Sequence, residues 1–240
     1  MIAALILGRK GSVGFPGKNT MEVLGKPLMA YPLIAAKDSK YIDKIFVSTD
    51  SDEIRNIGEQ FGGIFIQRPP ELSSKEALGE DAYRHGYYWI KERYGDIEML
   101  VLLFCNAATI SSELIDEGIE AMRKNPDIDS AVTVSRYNMW SPLRARKVDE
   151  QGLLKPFVPF EFFGDPKTLN CDRDSQGDVL FADMGVSIVR PHCLEHMEDG
   201  LLPQKWMGQK IYPIQNWGGC DIDYEWQVPQ VEFWLKKHGF

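Results

Sequence analysis

Apolar residues in this chain gather into short solid runs separated by segments of helical spacing. The runs Ile2–Leu7, 44–48, 63–67 and Met99–Phe104 have strand length. Between them, 28–38, 51–61 and Gly79–Tyr94 carry apolar residues three and four apart, and Ser51 or Asp52 stands where a helix cap belongs. Ser111 or Ser112, followed by Glu113, opens a further helix over 113–124. Strands are also expected at 130–135 and 187–190. Alternation of this kind predicts an α/β fold, a mostly parallel sheet covered by helices on both faces. Met99-Leu100-Val101-Leu102-Leu103-Phe104 has no polar position, as a strand buried on both faces requires.

The pattern breaks down over 137–178. That stretch is rich in Pro, Phe, Asp and Arg and has no long periodic segment. Phe157, Phe160, Phe162 and Phe163 are too many aromatics to leave in water. It reads as an insertion, either a cover over a site or a contact with a second subunit. Periodicity returns at 226–238, where Val228, Val231, Phe233, Trp234 and Leu235 are expected largely on one side, closing the core. With 240 residues, one domain spanning 1–240 accounts for the chain, although the length alone permits two.

Composition narrows the function classes. Twenty-seven basic against 35 acidic side chains leave a net charge of −8, which argues against broad binding to nucleic acid or an anionic membrane. No apolar stretch approaches the about 20 residues of a membrane helix. The chain enters its first strand with no leader pattern, so a cytoplasmic protein is expected. Cys105, Cys171, Cys193 and Cys220 are widely spaced, against a zinc site or a disulfide framework. His192 and His196 are four apart and a metal pair on one helix face is conceivable, but Pro191 and Cys193 read instead as a helix start.

The chemistry is concentrated after the first strand, in Arg9-Lys10-Gly11-Ser12-Val13-Gly14-Phe15-Pro16-Gly17-Lys18-Asn19. Glycines let the main chain approach a ligand closely, free N–H groups can face anionic oxygens, and Arg9 and Lys18 add formal charge. A loop that wraps a triphosphate is the expected reading; an ordinary Gly/Pro surface turn is the alternative. The loop lacks the Gly-Lys-Ser/Thr ending of a P-loop and does not fit the dinucleotide fingerprint. Arg9, Asp50 and Asn106 each follow a strand-like run, so the ligand is expected at the carboxyl ends of the strands. Near the C-terminus, Asp221 and Asp223 are two apart after Gly218-Gly219. In a strand both would project on one face and reach one Mg²⁺. Two surface acids in a turn is the competing reading.

From Gly8 to Asn19 the loop resembles the signature Ala-Arg-x-x-Ser-Lys-Gly-x-Pro-x-Lys-Asn of the CMP-sialic acid synthetase (acylneuraminate cytidylyltransferase) family. Arg9, Ser12, Gly14, Pro16, Lys18 and Asn19 match, and Val13 stands where the family has an inner Lys. Ser48-Thr49-Asp50, Arg68-Pro69-Pro70-Glu71-Leu72 and Asp221-Ile222-Asp223 resemble later family segments in the same order. The resemblance implies a Rossmann-like nucleotidyltransferase that joins CMP from CTP to an acidic sugar and releases pyrophosphate. It implies Arg9 and Lys18 as the catalytic cations, and Gly8, Gly11, Ser12, Asn19 and Arg68 as nucleotide contacts. Asp221 and Asp223 would be the Mg²⁺ ligands and the insertion a homodimer contact.

Two segments depart from that pattern. Where the family has Gln-Pro-Thr-Ser-Pro-Leu-Arg, this chain has Phe104-Cys105-Asn106-Ala107-Ala108-Thr109-Ile110. Where it has Arg-Pro-Asn-Gly, this chain has Ala182-Asp183-Met184-Gly185. The resemblance places these on the acceptor side, so Asn106 and Asp183 are the candidate acceptor contacts, and a different acceptor such as a sugar phosphate or phosphonate stays open. Arg144, Arg146 and Arg173 are alternative cations from the insertion. A metal-dependent glycosyltransferase and a non-catalytic nucleotide-binding protein are the rivals of other classes.

Overall fold

In chain order, the strands before the second half are β1 (Ile2–Leu7), β2 (Glu22–Val23), β3 (Lys26–Pro27), β4 (Lys44–Thr49), β5 (Ile64–Gln67) and β6 (Met99–Phe104). The helices among them are α1 (Ala30–Asp38), α2 (Asp52–Gln60), α3 (Gly79–Tyr94) and α4 (Ser112–Lys124). After these come β7 (Ser130–Arg136), β8 (Arg146–Val148), β9 (Leu154–Pro156), β10 (Leu180–Val189), α5 (Pro191–Glu195), β11 (Ile211–Asn216) and α6 (Val228–Lys237). The computed structural model describes residues 1–11 and 14–240. Residues 1–134 and 183–240 form one compact unit, and 135–182 a second.

The first unit is built on a seven-stranded sheet in the order β11-β7-β10-β6-β1-β4-β5. β1 runs parallel to both β4 and β6, and β4 parallel to β5. Every residue of β1 is buried, as a central parallel strand requires. Its alternate side chains serve two cores. Ile2, Ala4 and Ile6 join Leu33, Ile54, Ile115 and Ile119 from three helices in one cluster. On the other face Leu5 packs against Gly86 of α3, where a Cβ would come within 2.5 Å of a Leu5 methyl. Ser51 and Ser111 cap α2 and α4 by accepting from Ile54 N and Leu114 N. A third cluster joins Val23, Leu28 and Tyr31 to Val231, Trp234 and Leu235 of α6, and clamps Ile222 between them.

Several expectations need correction. β10 begins at Leu180, well before the expected 187, and is antiparallel to β6. β11 was not expected at all. Pro213 interrupts its pattern, and the strand sits at the sheet edge, where a missing N–H is tolerated. The last helix is shorter than 226–238: Glu225–Gln227 is a 3-10 turn, and Pro229 lies in the first turn of α6. Phe233 does not join the buried side. Val231, Trp234 and Leu235 share the inner face at spacings of three and four, which turns Phe233 outward. α5 ends at Glu195, so His192 and His196 do not share a helix face, and His192 Nε2 meets Asp129 Oδ1 at 3.1 Å.

The second unit holds the antiparallel hairpin β8–β9 and several 3-10 turns, with no long periodic element. Its buried polar residues, among those described, are Ser135, Asn138 and Ser141. The Asn138 amide donates to Asp174 Oδ1 at 2.7 Å and accepts from Val179 N at 2.9 Å. Leu154, Phe157 and Phe162 are 70%, 60% and 80% exposed, so this unit does not cover its own apolar side chains.

Candidate active site

Because β1, β4 and β6 are parallel, the segments that follow them emerge at one end of the sheet. A cleft of about 450 Å³ opens there. Gly8, Arg9, Lys18, Asn19, Arg68 and Asn106 all line it, and Asp223 reaches it from the other end of the chain. Arg9, Lys18 and Arg68 oppose Asp223 as the charged lining among the described residues. A chain of net charge −8 thus presents a locally cationic cleft, which draws an anionic ligand inward.

The loop is tied at both ends. Gly8 N donates to Ser48 O, and a side chain at Gly8 would come within 2.5 Å of Cys105 Sγ, so the strand ends pack too closely for a Cβ. Lys10 N donates to Asp50 Oδ1 at 2.8 Å, which gives Asp50 a role in holding the loop. The Arg9 guanidinium donates to Ser74 O. Asn19 closes the loop: its side-chain amide donates to Arg9 O at 3.3 Å while its backbone carbonyl accepts from Met29 N at 3.0 Å. Gly11 has φ +81° and lines a smaller hollow beside Lys10, Thr20 and Ser51. Ser12, the remaining nucleotide candidate, lies outside the described residues.

Arg68 is buried beneath the cleft. Its Nη2 donates to Ser48 O at 2.5 Å and its Nε to Ser48 Oγ at 3.3 Å. Burial lowers its pKa. Leu72, at the end of the Arg68–Leu72 segment, lines the cleft with Ala77 and Leu78, and these last two were not singled out from the sequence. Short apolar residues in an irregular segment carry no periodic signal.

Asp221 and Asp223 do not lie in a strand, contrary to expectation; their segment is irregular backbone. Ile222 is fully buried in the third cluster; Asp223 lines the cleft, whereas Asp221 is not part of its lining. Asn106 holds the segment to the end of β6. Ile222 N donates to Asn106 O at 2.9 Å, and Asn106 Nδ2 donates to Ile222 O at 3.0 Å and to Asp221 Oδ2 at 3.3 Å. Thr109 Oγ1 repeats the device two residues earlier, bonding both N and O of Cys220. Burial, then Asp223, raises the pKa of Asp221, while its own backbone N–H, Lys18 and Asn106 pull it down. Lys18 Nζ stands 2.5 Å from Asp223 Oδ1. Gln227, which sequence reasoning missed, accepts from Asp223 N and Tyr224 N at 2.7 and 2.8 Å. A Gln four residues on is the only trace it leaves in the sequence.

Asp183 is placed differently from the other candidates. It is buried, accepts from Gly185 N at 3.1 Å and Asn216 Nδ2 at 3.0 Å, and is not part of the cleft lining. It also packs so closely on Gly219 that a Cβ there would clash. Its bonds join β10 to the end of β11. Burial pushes the Cys105 thiol up to about 12, so that cysteine is an inert neighbour of the cleft.

Residues 3–150 match the cytidylyltransferase family. An N-acylneuraminate cytidylyltransferase of Oncorhynchus mykiss is 44% identical over 233 residues, 95% of this chain and 49% of that protein. One from Escherichia coli O18:K1:H7 is 31% identical over 156 residues, 65% of this chain and 36% of its own length. The chain therefore spans half or less of the curated relatives it matches. Among solved structures, a CMP:2-keto-3-deoxy-manno-octonic acid synthetase complexed with CTP superposes with a TM-score of 0.69 at 14% identity, covering 99% of both chains. A 4-diphosphocytidyl-2C-methyl-D-erythritol synthase from Anaerococcus prevotii gives 0.61 at 16%, over 98% of this chain and 96% of that one. At such identities these two establish the fold, a mostly parallel Rossmann-like sheet. The family match runs through β1, the basic loop, Arg68 and Asn106, and on that match the chain belongs to the cytidylyltransferase family.

Proposed function

We propose that this chain transfers CMP from CTP to an acidic sugar and releases pyrophosphate. The observation that carries the reading is the cleft itself. It brings the basic loop after β1 together with Asp223 at the carboxyl end of a parallel sheet, and the family match covers that loop. In the reaction an acceptor hydroxyl oxygen forms a bond to the α-phosphorus as the bond to the β-phosphate oxygen breaks. Arg9 and Lys18 hold the phosphates and offset the charge that grows on the leaving pyrophosphate. Loop N–H groups and Asn19 shape the same wall, and Arg68 with Leu72 and Leu78 bounds the nucleoside side.

Asp221 and Asp223 are the residues that would hold Mg²⁺. Both are hard anionic oxygen donors, Asp223 in the cleft lining and Asp221 beside Asn106, and among the described residues no third acidic, His or Cys ligand joins them. That suits Mg²⁺, which keeps several waters and takes further oxygens from substrate phosphates. Bound there, the ion supplies charge neutralisation at the phosphate oxygens.

The acidic acceptor is supported by the relatives, several of which are named for N-acylneuraminate and one for pseudaminic acid. The altered segments at Asn106 and Asp183 favour a second reading, an acceptor such as a sugar phosphate or phosphonate. A cytoplasmic setting, where CTP is supplied, goes with either. No helix among the described residues is long and apolar enough to cross a membrane. The exposed apolar side chains of the second unit support a homodimer.

The test is pyrophosphate release with each nucleoside triphosphate, Mg²⁺ and a panel of acidic sugars, sugar phosphates and phosphonates. Turnover with CTP and a 2-keto sugar acid is expected. Turnover only with a phosphorylated acceptor moves the assignment to the second reading. No pyrophosphate from any pairing, with folded protein, refutes both.

A further inference from the structure

Lys18 is nearly buried, at 9% exposure, and its ammonium contacts Asp223 Oδ1 at 2.5 Å. Two groups with separate tasks are therefore joined to each other. The cation suited to phosphate oxygens sits on a carboxylate suited to a divalent ion. The two partners are unequally free to move. The Asp223 backbone is held by Gln227 Oε1 on its N–H, and its carbonyl packs 3.1 Å from the position of a Cβ on Gly14. Lys18 ends in a flexible four-carbon stem whose charged head can turn to another anion. The Asp221 carboxylate is within reach of the same ammonium's field.

Charge makes the two occupants of Asp223 compete. An ammonium in contact with a carboxylate repels a dication at that carboxylate, because the two charges would be only a few ångströms apart, inside the distance over which salt screens, although the Asp223 side chain is itself 56% exposed. A triphosphate has the opposite effect, because it offers Lys18 a stronger anionic partner. We propose that Lys18 gates the Asp221–Asp223 metal site: it disfavours a divalent cation until a triphosphate draws the ammonium from Asp223. Nucleotide and metal then bind with positive coupling, and by linkage each tightens the other by the same factor. This rests on the reading of the cleft as a triphosphate site.

Removing Lys18 has consequences of opposite sign for the two ligands, and this separates the gate from a purely structural ion pair. Mn²⁺ is the probe, titrated into the full chain without nucleotide and followed by the electron paramagnetic resonance of the free ion. Lys18→Met should bind Mn²⁺ at least tenfold more tightly than wild type, and adding Asp223→Asn should erase the gain. Arg9→Met removes an equal charge from the same cleft but from a residue bonded to Ser74, and should change Mn²⁺ affinity less than threefold. Lys18→Gln, expected to act like Lys18→Met, serves if the latter melts below the assay temperature. Equal or weaker Mn²⁺ binding by the folded Lys18 variants overturns the gate. So does an equal gain in Arg9→Met, or no measurable Mn²⁺ binding in any variant. CTP binding is measured separately by calorimetry. If wild type binds no CTP while the Lys18→Met gain and its erasure hold, the functional reading falls and the competition at Asp223 stands.

Discussion

Lys18 and Asp223 are 205 positions apart in sequence and 2.5 Å apart in space, so the site depends on a few side chains brought in from both ends of the chain. Each has a testable share. Arg9→Ala or Lys18→Ala should lower kcat/KM for CTP ten- to a hundredfold or more, since a charge-assisted contact is worth about 1.5–3 kcal/mol. Folding should be nearly intact, because neither side chain belongs to an apolar cluster. Steady-state kinetics on variants with wild-type circular dichroism decides this, and unchanged kinetics would remove both residues from the site. Asp221→Asn and Asp223→Asn should each abolish Mg²⁺-dependent turnover while CTP binding survives in part. An amide oxygen lacks the charge that offsets dehydration of the ion. Wild-type rates in both would move the metal elsewhere.

Between elements, short polar bridges decide where each piece sits. Asn106 and Thr109 lock 220–222 to the segment that follows β6, and Asn106 Nδ2 also donates to Asp221 Oδ2. Away from the site, Glu195 of α5 accepts from Tyr87 and Lys91 of α3 at 2.5 and 2.7 Å. Lys91, then Tyr87, lowers the pKa of Glu195. A depressed carboxylate contributes stability above its unfolded value, about 4.3, and loses it as the pH falls through the lower folded value. Glu195→Ala should therefore melt below wild type at pH 7, by an amount equivalent to roughly 1–3 kcal/mol. The gap should narrow below about pH 4 as Glu195 protonates. Thermal melts at both pH values check the claim; a constant gap would assign the loss to packing alone.

At the scale of the whole molecule, the two units differ in how they satisfy their apolar residues. The first buries all of β1 and all but the last residue of β6. The second leaves Leu154, Phe157 and Phe162 largely in water. Exposed apolar side chains in such number call for a partner, and the proposed one is a second copy. Light scattering at micromolar concentration should give the mass of a dimer. Phe157→Asp with Phe162→Asp should give the mass of a monomer without lowering the melting point of the first unit. A monomeric wild type counts against the dimer.

The sequence by itself determined the α/β class, the bounds of β1, β6 and α3, and the basic loop, because solid apolar runs and helical spacing are local signals. It also singled out Arg9, Lys18, Asn106 and Asp223, since motif chemistry is local too. Tertiary structure decided the rest. β11 hides behind Pro213 and is a strand only because a sheet edge tolerates the missing donor. Phe233 turns outward because Val231, Trp234 and Leu235 already fill the inner face of α6. Asp183 and Asp223 look alike in sequence, yet one is tied into the sheet by Asn216 and Gly185 while the other faces the cleft. Nor does any local pattern place Lys18 against Asp223. That contact exists because parallel strands deliver their carboxyl ends to one edge and Ile222 anchors the returning chain beside them.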